Sequence, residues 1–231
     1  MPAILKYTRD VAYLNDGDMV IFTDHDALFF DGAGDPITKT PEHITWDTEA
    51  AEKGGYEHFM LKEIHEQPKA IRDTLSPRMK DGKIVLDDIT LSADYLRNLR
   101  RVYAVACGSA YYVGVQSKYI IEKLCQVPVE PVLASEFRYS DPVLGADTLA
   151  ALRLAKEKGA RTLAIVNVVG SSIAKLANDV IYTWAGPEIA VATTKAYSTQ
   201  LAVVDLLALY MAQCLGTVEP KRFDYLYGEL Q

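Results

Sequence analysis

From residue 102 onward, short unbroken apolar runs alternate with stretches of helical period. Val102–Ala106 is one such run; it ends at Cys107-Gly108-Ser109, and a helix to about Cys125 follows with Val113, Tyr119, Ile120 and Leu124 turned inward. The pattern then predicts a strand around Val129–Leu133, a helix at Asp147–Lys158 closed by Gly159, and a strand at Thr162–Val169. A short helix at Ser172–Ala177, a strand at Val180–Trp184 and a long helix from Thr194 to Leu215 complete the unit. Strands that alternate with helices in this way form a parallel sheet with helices on both faces, an α/β fold.

One step breaks the rhythm. The helix starting near Asp147 follows Phe137-Arg138-Tyr139-Ser140-Asp141-Pro142-Val143-Leu144-Gly145, a segment too short, and too broken by Pro142, to hold both a connection and a buried strand. The βαβ rhythm therefore calls for a strand and a following loop that the sequence does not contain.

The first residues read differently. Val11–Leu14, Met19–Thr23 and Ala27–Phe30 are short β-type runs, punctuated by Asn15-Asp16-Gly17 and Asp31-Gly32-Ala33-Gly34, and they predict a small antiparallel meander over residues 1–47. So small a sheet is marginal alone, which suggests the end of a larger domain. From Thr48 to Leu75 the chain turns helical, with Phe59, Ile64, Ile71 and Leu75 as an apolar stripe interrupted at Pro68, which predicts a pair of linker helices. Ile84–Leu86 is a further short apolar run, and Ser92–Arg101 predicts a short helix. The domain plan is thus 1–47, a linker over 48–100, the parallel unit over 101–216, and a second linker over 217–231.

Composition narrows the function classes. Hydrophobic residues at 49% and charged residues at 24% of 231 supply an ordinary core. The net charge of -7 and the lack of any Lys/Arg run longer than a pair speak against nucleic acid as a partner. Lys6, Arg9 and Asp10 interrupt any signal-peptide core at the start, and the apolar stretch Leu201–Leu215 falls short of the ~20 residues of a membrane span, so neither secretion nor a membrane is expected. Three cysteines, Cys107, Cys125 and Cys214, without C-x-x-C spacing fit reduced thiols in the cytoplasm. His25, His43, His58 and His65 show no metal-ligand spacing, so no metal is expected. Tyr111, Tyr112, Tyr182 and Tyr210 read as packing residues.

Ligands of open parallel sheets sit beyond the carboxyl ends of the strands, where loops feed helix N-termini. Gly108 would let backbone approach a ligand, and Ser109 could cap a helix whose first amides favour an anion; an ordinary strand-end turn gives the same tetrapeptide. In Gly186-Pro187-Glu188-Ile189-Ala190-Val191-Ala192-Thr193-Thr194-Lys195, Thr193 or Thr194 caps the long helix. Lys195 in its first turn opposes the helix dipole, at a cost of about 0.3–1 kcal/mol. An anionic ligand would offset this; so would a local acid such as Glu188. Gly170-Ser171-Ser172 opens a third helix with further donors or a routine cap.

These segments carry a resemblance. P-A-I-L-K-Y-T-R-D-V, Y-E-H-F-M-L-K-E-I-H-E-Q-P, V-A-C-G-S-A, A-S-E-F-R-Y and A-G-P-E-I-A-V-A-T-T-K-A-Y-S-T-Q make the chain similar to the glucosamine-6-phosphate synthases, the isomerising glutamine:fructose-6-phosphate aminotransferases. The resemblance implies the end of a glutaminase domain over 1–47, an interdomain linker, and the first of two SIS (sugar isomerase) lobes over 101–216, a three-layer αβα, flavodoxin-like fold. It implies a homodimer, fructose 6-phosphate or glucosamine 6-phosphate as ligand, and no cofactor. By position, Cys107, Gly108 and Ser109 look like the first sugar-phosphate loop, and Val191, Ala192 and Thr193 like the loop meeting the sugar from the far side. Where the family has Thr-Ser after Cys-Gly, this chain has Ser109-Ala110. Where the family carries a strand ending in Ser-Gln-Ser-Gly-Glu-Thr, Gly145 runs straight into Ala146-Asp147-Thr148.

The family's catalytic nucleophile, Schiff-base lysine and acid/base residues have no counterpart in these 231 residues, and Lys195 is not that lysine. The expected role is therefore hexose-phosphate binding without turnover by this chain alone. The alternatives are a sugar-phosphate-responsive regulatory module, a self-associating remnant with open sheet edges, and a molecule that carries the missing stretch in addition to these 231 residues.

Overall fold

The computed structural model describes residues 7–43, 53–137 and 148–231, which form two compact units, Met1–Gly55 and Tyr56–Gln231. In the first unit, β1 (Asp10–Val11) pairs antiparallel with β5 (Glu42–His43). Between them β2 (Met19–Phe22), β3 (Ala27–Phe30) and β4 (Pro36–Ile37) make a three-stranded antiparallel meander. The turn at Asn15 forms as expected, with Asp18 N–H donating to Asn15 O at 3.1 Å. It does not close a hairpin: the run beginning at Val11 shortens to β1 and pairs with β5, and the His43 ring nitrogen meets Asp10 Oδ1 at 2.8 Å across that pair.

The second unit opens with α1 (Phe59–Leu75), one helix rather than a pair. The portion of the expected pair at 48–52 lies outside the described residues. Pro68 leaves the Ile64 carbonyl without its usual backbone donor, and the Gln67 side-chain amide donates to that oxygen at 3.2 Å, so the helix continues. Its buried face matches the expected stripe in part: Leu75 is buried, Ile71 packs against the core and Phe59 is half-buried. Lys62, Glu63, Ala70, Thr74 and Leu75 are buried, whereas Ile64 is exposed. After a hairpin of β6 (Met79–Lys80) and β7 (Lys83–Ile84), α2 (Ala93–Arg97) is capped by Ser92, whose side chain accepts from Tyr95 N–H at 3.1 Å.

Next come β8 (Val102–Ala106), α3 (Ser109–Cys125), β9 (Val129–Leu133), α4 (Ala134–Phe137), α5 (Thr148–Glu157), β10 (Leu163–Val166), α6 (Ser172–Leu176), β11 (Asp179–Tyr182) and α7 (Lys195–Leu215). The elements follow the hydrophobic pattern closely. Two inward readings do not hold: Tyr119 is 66% exposed and Tyr112 is also exposed. The buried stripe of α3 runs through Val113, Gly114, Ser117, Ile121 and Leu124 at helical spacing, and Tyr119 stands two residues out of that phase. Residues 220–229, read as linker, form α8 (Pro220–Glu229), with Pro220 in its first turn and Tyr227 buried.

Among the described residues, the strands from β8 onward form two parallel pairs. Val102 aligns with Val129 through Ala106 with Leu133 in the β8–β9 pair, and Leu163 with Asp179 through Val166 with Tyr182 in the β10–β11 pair. A flavodoxin-like sheet has the order 2-1-3-4-5. The pairs correspond to 2-1 and 4-5, and among the described residues no strand stands between β9 and β10 in the chain. Residues 138–147, where the strand is missing from the pattern, lie outside the described residues. None of the β8 residues is fully buried, unusual for a central strand of a parallel sheet and consistent with a missing neighbour.

One hydrophobic core unites both pairs on a single side. It centres on α7, with Val203, Leu206 and Ala208 sealed from solvent, and gathers Leu75, Ile84, Leu96, Ile121, Leu124, Val129, Ile181 and Tyr227 around it. Each fully buried aliphatic side chain of this kind contributes about 1.5–3 kcal/mol. A smaller cluster of Phe137, Ala151 and Leu154 packs against Val105 and Val132. The α7 helix begins at Lys195, six residues before the apolar stretch, and at 21 residues it is long and apolar enough to cross a membrane, which corrects the expectation that it falls short. Half of that apolar span is buried inside the chain, against α1 and α3.

Candidate functional site

Two of the expected loops lie at helix starts, and they differ in one respect. At the first, β8 ends in exposed Cys107, and Gly108 occupies the cap position of α3 with φ 57° and ψ −137°. That conformation is open to glycine and strained for other residues, and a Cβ there would meet nothing within 4 Å. Ser109 is the first residue of the helix, not its cap, and no side chain caps this end. Gly108 takes the cap because it accepts the turn; Tyr111 N–H donates to Gly108 O at 3.2 Å, and among the described residues no side chain caps the other first amides of this 17-residue helix, which starts beside exposed Gly108 and Ser109.

The start of α7 is filled instead. Glu188 Oε1 accepts from Thr194 N–H at 2.9 Å and from Ala196 N–H at 3.3 Å, so the protein's own carboxylate occupies the positive end of this helix. The expected hydroxyl cap is absent: Thr194 has φ −118° and ψ −77°, outside the extended geometry of a capping residue, and its buried hydroxyl oxygen finds no partner. Thr193 is exposed. Lys195 pairs with neither solvent nor Glu188. Its ammonium, 3% exposed, meets Glu66 Oε2 of α1 at 2.6 Å.

Just before α7, Val191, Ala192 and Thr193 project as a fully exposed turn. The backbone leading to it is held at several points. Asn167, at the end of β10, accepts from Ala185 N–H at 2.9 Å and donates to Gly186 O at 2.7 Å. Ile189 and Ala190 donate to Glu63 Oε1 at 2.6 and 3.0 Å. At the third candidate loop, Ser171 caps α6 by accepting from Ala174 N–H at 3.3 Å, the routine role, and Gly170 and Ser172 are exposed. No hydrogen bond among the described residues joins the Cys107–Ser109 and Val191–Thr193 loops.

Sequence reasoning named Glu188 only as a partner for Lys195, not as the acceptor of the α7 amides, and missed Glu63 and Glu66. Glu188 stands six residues before Thr194, whose amide it accepts, a legible signal; the two on α1 pair with residues more than 120 positions away and left no local trace. Of the histidines in this unit, His65 stacks on Tyr56 with ring centroids 5.3 Å apart, and His58 is exposed beside Glu57.

A family model for the SIS domain matches residues 95–210. The chain belongs to the SIS domain family. Its SIS domain and flanking residues are 50% identical over 245 aligned positions to glutamine–fructose-6-phosphate aminotransferase (isomerizing) of Clostridium acetobutylicum, covering all of this chain and 40% of that protein. The enzyme of the same name from Clostridium perfringens is 53% identical over 232 positions, covering 94% of this chain and 38% of the relative. Among solved structures, the C-terminal domain of glucosamine-fructose-6-phosphate aminotransferase from Francisella tularensis superposes with a TM-score of 0.72 at 35% identity, covering 78% of this chain and 55% of that one. This chain thus spans about 40% of the length of the curated relatives it matches. The 245 aligned positions exceed its 231 residues, so at least 14 positions of the relative have no counterpart in this SIS-containing chain.

Proposed function

We propose that the chain binds a hexose phosphate as the first sugar lobe of a glucosamine 6-phosphate-forming, isomerising aminotransferase. The observation that carries this reading is the contrast between the two helix starts. The α7 start already holds Glu188, whereas the α3 start presents uncapped amides beside exposed Gly108 and Ser109. A phosphate fits the second and would be repelled by the first. Cys107, Gly108 and Ser109 then contact the phosphate end, and Val191, Ala192 and Thr193 the sugar. No catalytic residue is assigned to these 231 residues, and fructose 6-phosphate or glucosamine 6-phosphate is the ligand in either direction of the reaction.

The names of the relatives support the substrate class, and the shared span of about 40% supports binding rather than the whole reaction. The same reading makes the protein a cytoplasmic homodimer without membrane attachment, its α7 a core helix, and residues 1–47 and 48–100 the end of a glutaminase-like domain and its linker. Calorimetric titration with fructose 6-phosphate and with glucosamine 6-phosphate tests it: saturable heat is expected, and no heat with either at millimolar concentration overturns it. A second reading, a sugar-phosphate-responsive module with no part in turnover, is favoured by the two separate strand pairs, since the loop after the missing strand is the family's phosphate loop. Glucosamine 6-phosphate formed from fructose 6-phosphate and ammonia by the chain alone would exclude this second reading.

A further inference from the structure

One face of α1 brackets the Val191–Thr193 turn on both sides. The two residues before the turn, Ile189 and Ala190, donate their amides to Glu63 Oε1 at 2.6 and 3.0 Å. Two residues after it, Lys195 meets Glu66 at 2.6 Å, and one helical turn further the Ser198 hydroxyl bonds Gln67. Glu63, Glu66 and Gln67 share one face because their spacing is helical.

Glu63 is the unusual member. It is 2% exposed, its Oε2 has no hydrogen-bond partner, and no cation lies within ion-pair distance of it among the described residues. A carboxylate buried with one oxygen unpartnered carries a desolvation cost, which its two amide hydrogen bonds offset in part. Such departures from what folding alone favours gather at functional positions. Among the described residues, the partners of the Glu63 side chain are two amides of the loop.

We propose that Glu63 is a positioning residue of the sugar site: through the Ile189 and Ala190 amides it fixes the turn that presents Val191, Ala192 and Thr193 to the sugar. Glu63 itself does not touch the ligand. The inference deepens the hexose-phosphate reading and rests on it.

The test uses the 231-residue chain as wild type, Glu63→Ala and Glu63→Gln, with backbone amide exchange followed by NMR and fructose 6-phosphate titrated calorimetrically. Glu63→Ala is expected to accelerate exchange at Ile189 and Ala190 and to weaken fructose 6-phosphate, each by about tenfold or more, the scale of a lost charge-assisted hydrogen bond. Glu63→Gln keeps an acceptor oxygen and is expected to restore both within about threefold, a rescue that a purely structural role of the charge would not give. If Glu63→Ala does not fold, Glu63→Asp, which withdraws the acceptor by one methylene, is read against the same expectations. Unchanged exchange, or faster exchange with wild-type affinity, overturns the proposal. Wild-type protein that binds no fructose 6-phosphate overturns the hexose-phosphate reading and the sugar role with it, whereas accelerated exchange in that case still leaves Glu63 as the residue that orders the turn.

Discussion

The ammonium of Lys195 stands 2.6 Å from Glu66 Oε2, joining the first turn of α7 to the middle of α1. Lys195 is almost fully buried and Glu66 about a third exposed, so the two partners are not equally sensitive to loss. Removing Glu66 leaves a buried cation at the positive end of a helix. Glu66→Ala is therefore expected to lower unfolding stability by about 3 kcal/mol in a denaturant titration, and the double variant Glu66→Ala/Lys195→Met to recover most of it.

Gly114 lets α3 lie close on β8. A Cβ at this position would come within 3.2 Å of Ala104 Cβ and 3.4 Å of Ala104 O. Gly114→Val should cost about 1–3 kcal/mol by overpacking, outweighing any gain in helix propensity. Thermal unfolding measures it, and a more stable variant would show that α3 can move off the strand.

Asp179 makes stability acid-sensitive. Burial pushes its carboxyl upward, but the Arg161 guanidinium at 2.8 Å and two hydrogen bonds from Thr90 outweigh burial and hold it below the ordinary carboxylate value. A depressed folded value means that the stabilisation is present above the unfolded value, near 3.9, and is lost as pH falls through the folded one. Asp179→Asn should melt lower than wild type at pH 7, with the gap closing below about pH 3.

Asp205 has the opposite sign. It sits on α7 with Oδ1 buried and unpartnered, and burial raises its carboxyl above the ordinary value. The folded state then prefers the protonated acid, so stability declines as pH rises from the unfolded value through the folded one. Asp205→Asn should melt higher than wild type at pH 7 and lose that advantage near pH 3, below about the unfolded value of 3.9.

The thiols separate by environment. Cys107 is exposed at the proposed phosphate loop, whereas Cys125 is buried, its thiol pushed up to about 11 by burial and turned toward Ala208 O. An aromatic disulfide reagent should modify Cys107 quickly and Cys125 only on unfolding. Fructose 6-phosphate is expected to slow modification of Cys107, and labelling that ignores saturating ligand would place the phosphate elsewhere.

Hydrophobic periodicity alone located β8, α3, β9 and α7 to within a residue, because each is a long unbroken run or a sustained helical stripe. It was incomplete at α1, where Pro68 implied a break and the apolar stripe included exposed Ile64 and left out buried Lys62, Glu63 and Thr74. The Gln67 side chain repairs the first, and the second follows from polar partners on α7 and its leading loop. At the site, the glycine cap of α3 was visible as Cys107-Gly108-Ser109. The filled start of α7 was not, since Thr193 and Thr194 offered a cap that the backbone geometry declines.

By itself the sequence determined the alternation of strand and helix, the positions of both candidate loops, and the break in the βαβ count after β9; these depend on local period and on chain length. Only the tertiary structure decided that the strands stand as two separate pairs, that Lys195 belongs to Glu66, and that Glu63 grips the loop beside the proposed sugar contacts. The physical reason is range. A backbone period is set within a few residues, whereas the pairing of a buried charge depends on which distant helix the packed core brings against it.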